Sequence, residues 1–204
     1  MHFLITAGGT REYIDPVRFI SNGSSGKMGC ALARAAMKAG HKVTLISASD
    51  LQPPVGVDFV GVESAAEMFT AVNKFFPKCD CLIMAAAVSD YTPVEKSKVK
   101  IKKSKDELTI KLKPTVDILT WAGKHKKNDQ RIIGFALEDK DLRTRAEKKL
   151  ESKNLDMIIA NSPDAIGDDK STVQIKTPES DWLEIKSADK TDIAGKIIRQ
   201  IEKY

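Results

Sequence analysis

Cysteine, histidine and aromatic residues are scarce in this chain. Its 204 residues include three cysteines and three histidines, and Phe, Trp and Tyr together make up 6%. Cys30, Cys79 and Cys81 are an odd set, which argues against a disulfide framework. Cys79-Asp80-Cys81 has C-x-C spacing beside an apolar run, and His2, His41 and His125 offer no ligand set near it. These cysteines therefore read as packing, not as a metal or redox centre. No secretory leader is visible ahead of the first strand, so a reduced, cytoplasmic protein is expected. No apolar run reaches the roughly 18 residues of a membrane helix, and no membrane partner is expected. Nor is there a basic block interleaved with aromatics. The net charge of +5 is spread among acids, which suits an anionic small molecule and argues against nucleic acid. Repeats, low-complexity tracts and linkers are also missing, so one domain over residues 1–204 is expected.

Glycine and hydroxyl residues are instead concentrated in one connection. Residues 3–6 read as an apolar strand, and a helix rich in Ala, Leu and Met starts near Ser25 or Gly26. An ordinary strand-to-helix loop has about 2–6 residues. This one carries Gly8, Gly9, Gly23, Gly26, Ser21, Ser24, Ser25, Arg11, Arg18 and Asn22. Glycines allow close backbone approach, and N–H groups at a helix start attract phosphate. The connection reads as a phosphate-handling loop.

The rest of the chain reads as alternating strands and helices. Met28, Ala31, Leu32, Ala35 and Ala36 recur at helical spacing, Gly40 gives a left-handed stop, and residues 42–47 form a second strand. Residues 57–62 suggest a short strand, and Ser64-Ala65-Ala66-Glu67 a capping box opening a helix that Pro77 closes. Residues 81–88 lack polar alternation, as in a central parallel strand, and end in Ser89-Asp90-Tyr91. A short helix over 117–122, a strand over 131–136, a helix over 141–153 and a strand over 156–160 follow. Residues 172–175 and 182–185 suggest an antiparallel hairpin, and 189–203 a final helix. The expected fold is α/β: a doubly wound, Rossmann-like, mostly parallel sheet with a C-terminal antiparallel hairpin. Residues 96–113 hold eight lysines alternating with Val99, Ile101, Leu108, Ile110 and Leu112, which predicts a protruding β-hairpin. That hairpin is either a solvated edge or a flap carrying a lysine over a bound anion or across to a second subunit.

The segments ITAGGTREYIDPVRFISNGSSGKMG, AAAVSDY, KIKK followed by DELTIKL, VDIL, GFALE and KxxxKNLDMIIAN together resemble the phosphopantothenate–cysteine ligase family. The resemblance runs from residue 3 to about residue 177. In many bacteria that ligase is the C-terminal half of a bifunctional coenzyme A biosynthesis protein. The flavin-dependent decarboxylase half is not seen here, so no flavin is expected, the ligase would stand alone, and a separate decarboxylase protein would serve the same pathway. The resemblance implies that 4′-phosphopantothenate is activated by CTP as an acyl-cytidylate with release of pyrophosphate. Cysteine then displaces CMP, and Mg2+ is held mainly by the nucleotide phosphates.

Residue by residue, the family pattern implies that Asn22 acts on the acyl-cytidylate, that Arg18 meets a carboxylate or phosphate, and that Lys100 reaches the α-phosphate. Ser24, Ser25, Gly26 and Lys27 would line the phosphates, with Ser25, Asn22, Arg18 and Ala87 on the phosphopantothenate side. Ala85, Ala86, Asp90, Asp117, Phe135, Lys149 and Lys153 would meet the nucleotide. On residues alone, Asn22 also suits a left-handed turn, Arg18 an ion pair with Asp15, and the two lysines a solvated helix face. The family's Lys-Asn-Pro-Asp-Ile is replaced by Pro114-Thr115-Val116-Asp117-Ile118, so CTP and ATP both stay open. A second departure, Ser162-Pro163-Asp164, follows Asn161. A homodimer is implied by resemblance. The alternatives are an NAD(P)-dependent oxidoreductase on the same sheet, or a non-catalytic nucleotide-binding paralogue. The first would require an acidic residue closing the second strand, where only Asp50 lies beyond Ser47.

Overall fold

A computed structural model describes residues 1–105, 107–162 and 170–204. The first elements are β1 (His2–Ala7), β2 (Arg11–Tyr13), β3 (Phe19–Ser21), α1 (Lys27–Lys38), β4 (Lys42–Ser47) and β5 (Asp58–Gly61). Next come α2 (Ala65–Phe75) with a 3-10 turn at Phe76–Lys78, β6 (Cys81–Met84), β7 (Tyr91–Pro93), β8 (Leu112–Pro114) and α3 (Ile118–His125). The last are β9 (Arg131–Leu137), α4 (Leu142–Ser152), β10 (Met157–Asn161), β11 (Lys170–Lys176), β12 (Leu183–Asp189) and α5 (Lys190–Lys203).

The main sheet runs β12-β11-β10-β9-β6-β1-β4-β5. The pairings from β5 to β10 are parallel, and β11 and β12 add antiparallel at one edge. The doubly wound expectation holds. The buried positions of β6 and β10 are all apolar, and those of β1 are apolar apart from Thr6, because both faces are covered. Phe3, Ile5, Cys81 and Ile159 pack under α1 and α5, while Leu4, Leu82, Ile132 and Ile158 pack under α2, α3 and α4. The chain runs outward from β1 to β5 and returns to β6 on the other side of β1. The strand order therefore reverses at the β1/β6 boundary, where such sheets open a crevice at their carboxyl ends. Among the described residues no helix is long and apolar enough to cross a membrane.

The helix starts follow local chemistry. Ser64 Oγ accepts the Glu67 N–H at 3.2 Å, but the Glu67 carboxylate turns to the Glu63 N–H at 2.7 Å, so the box closes one residue early. Asp117 caps α3 through Thr120 N–H at 2.9 Å, and Asp189 caps α5 through Asp192 N–H at 2.8 Å.

Two local expectations change. The long crossing after β1 contains its own hairpin, β2 paired with β3. The lysine-rich hairpin, in turn, is paired only at its base, where β7 meets β8, and its described residues 94–111 form no strand. Val99 is 71% and Leu108 57% exposed, so the alternation that mimicked a strand has no face to bury against. Asp106, within the predicted hairpin, lies outside the described residues, as do residues 163–169 and with them most of the departure after Asn161.

Gly29 shows how closely α1 lies on the sheet. A Cβ there would overlap Ala7 Cβ and stand 2.9 Å from Thr6 O. Alanine favours a helix over glycine by about 1 kcal/mol, yet backbone and buried Ala7 cannot yield. Gly29→Ala is expected to lower stability by about 2 kcal/mol in urea unfolding; a gain would show that α1 has room to lift.

Candidate functional site

The loops after β1 and β6 are stitched together above the crevice. Ala87 N–H donates to Gly8 O at 2.9 Å and Thr10 N–H to Ala87 O at 3.2 Å. Buried Thr10 accepts Ser89 N–H at its Oγ1 at 2.9 Å. Buried Glu12 reaches across to the Ala65 N–H at 2.8 Å, tying β2 to the start of α2. Asn22 follows β3 directly, and its Nδ2 donates to Ala87 O at 3.2 Å and Val88 O at 3.4 Å. Gly26 closes the loop in the left-handed region (φ +81°), where a Cβ would stand 2.6 Å from Ser49 Cβ. The backbone then enters α1 with Lys27.

Below this roof lies a cleft of about 630 Å³. Its walls include Asn22, Ser24, Ser25, Gly26, Lys27, Ala85, Ala86, Ala87, Asp90, Asp117, Phe135, Lys149 and Lys153, all anticipated from the sequence. The three alanines keep the strand end narrow and its backbone accessible, and Phe135 offers a half-buried ring. Thr115, at the departure from the family pattern, donates its hydroxyl to Ser89 O at 2.6 Å and its N–H to Asp90 O at 2.9 Å. It thereby fixes the cleft wall that carries Asp117.

The cleft is cationic at its far side. Lys149 Nζ donates to Phe135 O at 2.7 Å, and Lys153 Nζ lies 2.9 Å from Asp117 Oδ2. Burial, then the neighbouring Lys153 charge, lowers the Lys149 pKa. Burial pushes the Asp117 carboxyl up, but the Lys153 and Thr120 hydrogen bonds outweigh it and hold the group below the ordinary range. Lys190, at the first position of α5, and Ser171 of β11 complete this wall. Sequence reading missed both; Lys190 gave a signal only in being a cation at a helix N-terminus, where acids are favoured. Asn161, at the end of β10, also lines the cleft. Among the described residues no group of three His, Cys, Asp or Glu could hold a metal ion. The carboxylates in the wall are largely engaged, Asp117 by Lys153 and Glu138 by Arg145 at 3.1 Å. Asp90 is the remaining acidic residue of the wall.

Arg18 and Lys100 are placed elsewhere. Arg18 turns its guanidinium to Asp15, with Nε at 2.9 Å and Nη2 at 2.6 Å, and to the Ile101 carbonyl. Lys100 is exposed on the lysine-rich segment, outside the cleft wall. The local ion pair considered for Arg18 is therefore present. Asp15 itself escaped notice as a functional residue. Its signal was the Asp-Pro step, a turn former in which the carboxylate takes the N–H two residues on.

The whole chain, residues 1–204, matches the family model for the DNA/pantothenate metabolism flavoprotein C-terminal domain. A protein of an unknown prokaryotic organism named cysteine/cysteine sulfinic acid decarboxylase is 47% identical over 205 residues, 97% of this chain and 56% of its own. The coenzyme A biosynthesis bifunctional protein CoaBC of Bacillus subtilis (strain 168) is 44% identical over 206 residues, 98% of this chain and 50% of its own. The chain thus spans about half the length of these curated relatives. The crystal structure of the C-terminal domain of CoaBC superposes with a TM-score of 0.86 at 39% identity, covering 99% of this chain and 94% of that one. With the motifs, the sheet order and these matches in agreement, the chain belongs to the DNA/pantothenate metabolism flavoprotein C-terminal domain family.

Proposed function

We propose that this chain is a single ligase domain that joins 4′-phosphopantothenate to L-cysteine, using CTP in preference to ATP. The observation that carries the reading is the convergence, at the β1/β6 switch point, of the Asn22 loop, the Ala85-Ala86-Ala87 strand end and the Lys149/Lys153 pair in one cleft. Two phosphorylated molecules and a carboxylate repel one another, and only a site with many donors and cations can hold them together. The carboxylate oxygen attacks the α-phosphorus, the bond to the β-phosphate oxygen breaks, and pyrophosphate leaves. The cysteine amine then attacks the acyl carbon, CMP leaves with the carbon–oxygen bond pair, and the amine loses a proton. Lys149, Lys153 and Lys27 face the triphosphate. Phe135 and Asp117 face the base and ribose, while Asn22, Ser25 and Ala87 face the pantothenate side. Mg2+ bound by the phosphates would offset their charge, and neither step draws on flavin.

Arg18 and Lys100 act in the working assembly, a homodimer in cytoplasm. The β2–β3 hairpin and lysine-rich segment of one copy reach the cleft of the other. Exposed Val17, Phe19 and Val99 on those elements, with Tyr91 on the adjoining β7, suit that contact. Lys100→Gln is expected to slow acyl-nucleotide formation about tenfold, because charge grows on the α-phosphate in that step; parental isotope exchange between pyrophosphate and CTP would refute that role. The reading as a whole is tested by thermal shift with CTP, ATP and NADPH, each with magnesium. Stabilisation by CTP, or by both triphosphates, is expected, and stabilisation by NADPH alone contradicts the proposal.

A further inference from the structure

We propose that Asp15 is a positioning residue whose buried carboxylate holds the Arg18 guanidinium and the backbone of Ile101 at once, so that Arg18 and Lys100 are set as one unit. The Asp15 residue is 0% exposed. Oδ1 accepts the N–H groups of Val17 and Arg18, each at 2.8 Å. Oδ2 accepts Arg18 Nε at 2.9 Å, Arg18 Nη2 at 2.6 Å and the Ile101 N–H at 3.1 Å. Arg18 also donates to the Ile101 carbonyl, so both backbone groups of the residue after Lys100 are gripped by the one ion pair. Two further contacts lie along the same line: Ser97 N–H donates to Ile14 O at 2.9 Å, and Lys96 Nζ stands 4.8 Å from the centre of the Tyr13 ring.

The two carboxylate oxygens divide the work. Oδ1 builds the tight turn between β2 and β3, and Oδ2 fastens the lysine-rich segment, whose described residues between β7 and β8 form no strand. A carboxylate only accepts, and its sites here are filled. The inference rests on the ligase reading for what Arg18 and Lys100 do to substrate, but not for the latch itself.

Asp15→Asn separates the two oxygens. Its Oδ1 keeps the turn, while its amide points donors at Arg18 and at the Ile101 N–H. Ile101→Pro removes only the donor on the lysine-rich side and serves if the first variant does not fold. With the full chain, no ligand and a temperature well below the thermal midpoint of each variant, initial tryptic cleavage after Lys98 and Lys103 is expected to rise about tenfold in both variants. In Asp15→Asn, kcat for pyrophosphate–nucleotide exchange is expected to fall about tenfold while the nucleotide KM stays within about twofold, since Lys149 and Lys153 are untouched. Unchanged cleavage in both variants overturns the latch. Raised cleavage with parental kcat overturns the positioning role. A parental enzyme inactive with every nucleotide would instead sink the ligase reading, and the cleavage result would still decide the latch.

Discussion

Asn22→Asp is expected to release pyrophosphate at close to the parental rate and to form the amide at least about 100-fold more slowly. Asn22 stands at the exit of β3, with Nδ2 shared between Ala87 O at 3.2 Å and Val88 O at 3.4 Å. These acceptors aim the amide into the cleft beside the strand end that the acyl group must approach. As the cysteine amine adds, charge develops on the acyl oxygen, and on the proposed reading the Asn22 N–H turns to it from Val88 O, the longer of its two bonds. A carboxylate has the same shape but no donor, and it would face two carbonyl oxygens and a developing negative charge. In the first step charge grows on the α-phosphate oxygens and on the departing pyrophosphate instead of the acyl oxygen, so that step is spared. The residue is exposed, and the fold should tolerate the change. Separate timing of pyrophosphate and of phosphopantothenoylcysteine checks this; amide formation at the parental rate would remove Asn22 from the second step.

The second large effect is expected at Lys149. Lys149→Met should weaken CTP binding about 100-fold, about 2.7 kcal/mol, with no loss of stability. The ammonium is part-buried beside Lys153, so the folded protein gives up hydration for one hydrogen bond to Phe135 O at 2.7 Å. A methionine of similar length can occupy that space without the penalty. The pH dependence carries the same sign. Because the Lys149 pKa is lowered from 10.5 on folding, the unfolded chain binds more protons between the lowered value and the ordinary one. Stability gained from this group therefore rises with pH through that interval. A triphosphate facing the ammonium reverses the shift, so binding in the same interval takes up protons. Calorimetry at a series of pH values below 10.5, in two buffers of different ionisation enthalpy at each, should detect that uptake in the parent and not in Lys149→Met. Equal uptake in both would assign it to another group.

The elements that carry the sheet were readable because their apolar runs are unambiguous. β1, β6 and β10 have no polar alternation, and α1 and α5 carry stripes at helical spacing. Ser64 and Gly40 mark ends by chemistry that any chain would use. The cleft was legible through its motifs, since the Asn22 loop and the Lys149/Lys153 pair do converge. What stayed hidden depends on partners distant in sequence. β2 and β3 are three residues each, too short to show a period. Asp15 and Glu12 look like surface acids until Ile101 and Ala65 arrive to donate to them. Residues 96–113 misled in the opposite direction, because alternation is only a pattern until there is a face to bury. Asp117, expected at the nucleotide, has a structural duty in capping α3 and pairing with Lys153.

The central claim is that the crevice at the β1/β6 switch point joins an acid to an amine at the expense of a nucleoside triphosphate. Its most direct test is incubation of the chain with 4′-phosphopantothenate, cysteine, magnesium and either CTP or ATP, followed by mass spectrometry of the products. The account predicts phosphopantothenoylcysteine, pyrophosphate and nucleoside monophosphate in equal amounts, with CTP the better donor. No amide with either nucleotide, or amide formed with release of nucleoside diphosphate and phosphate, would contradict it.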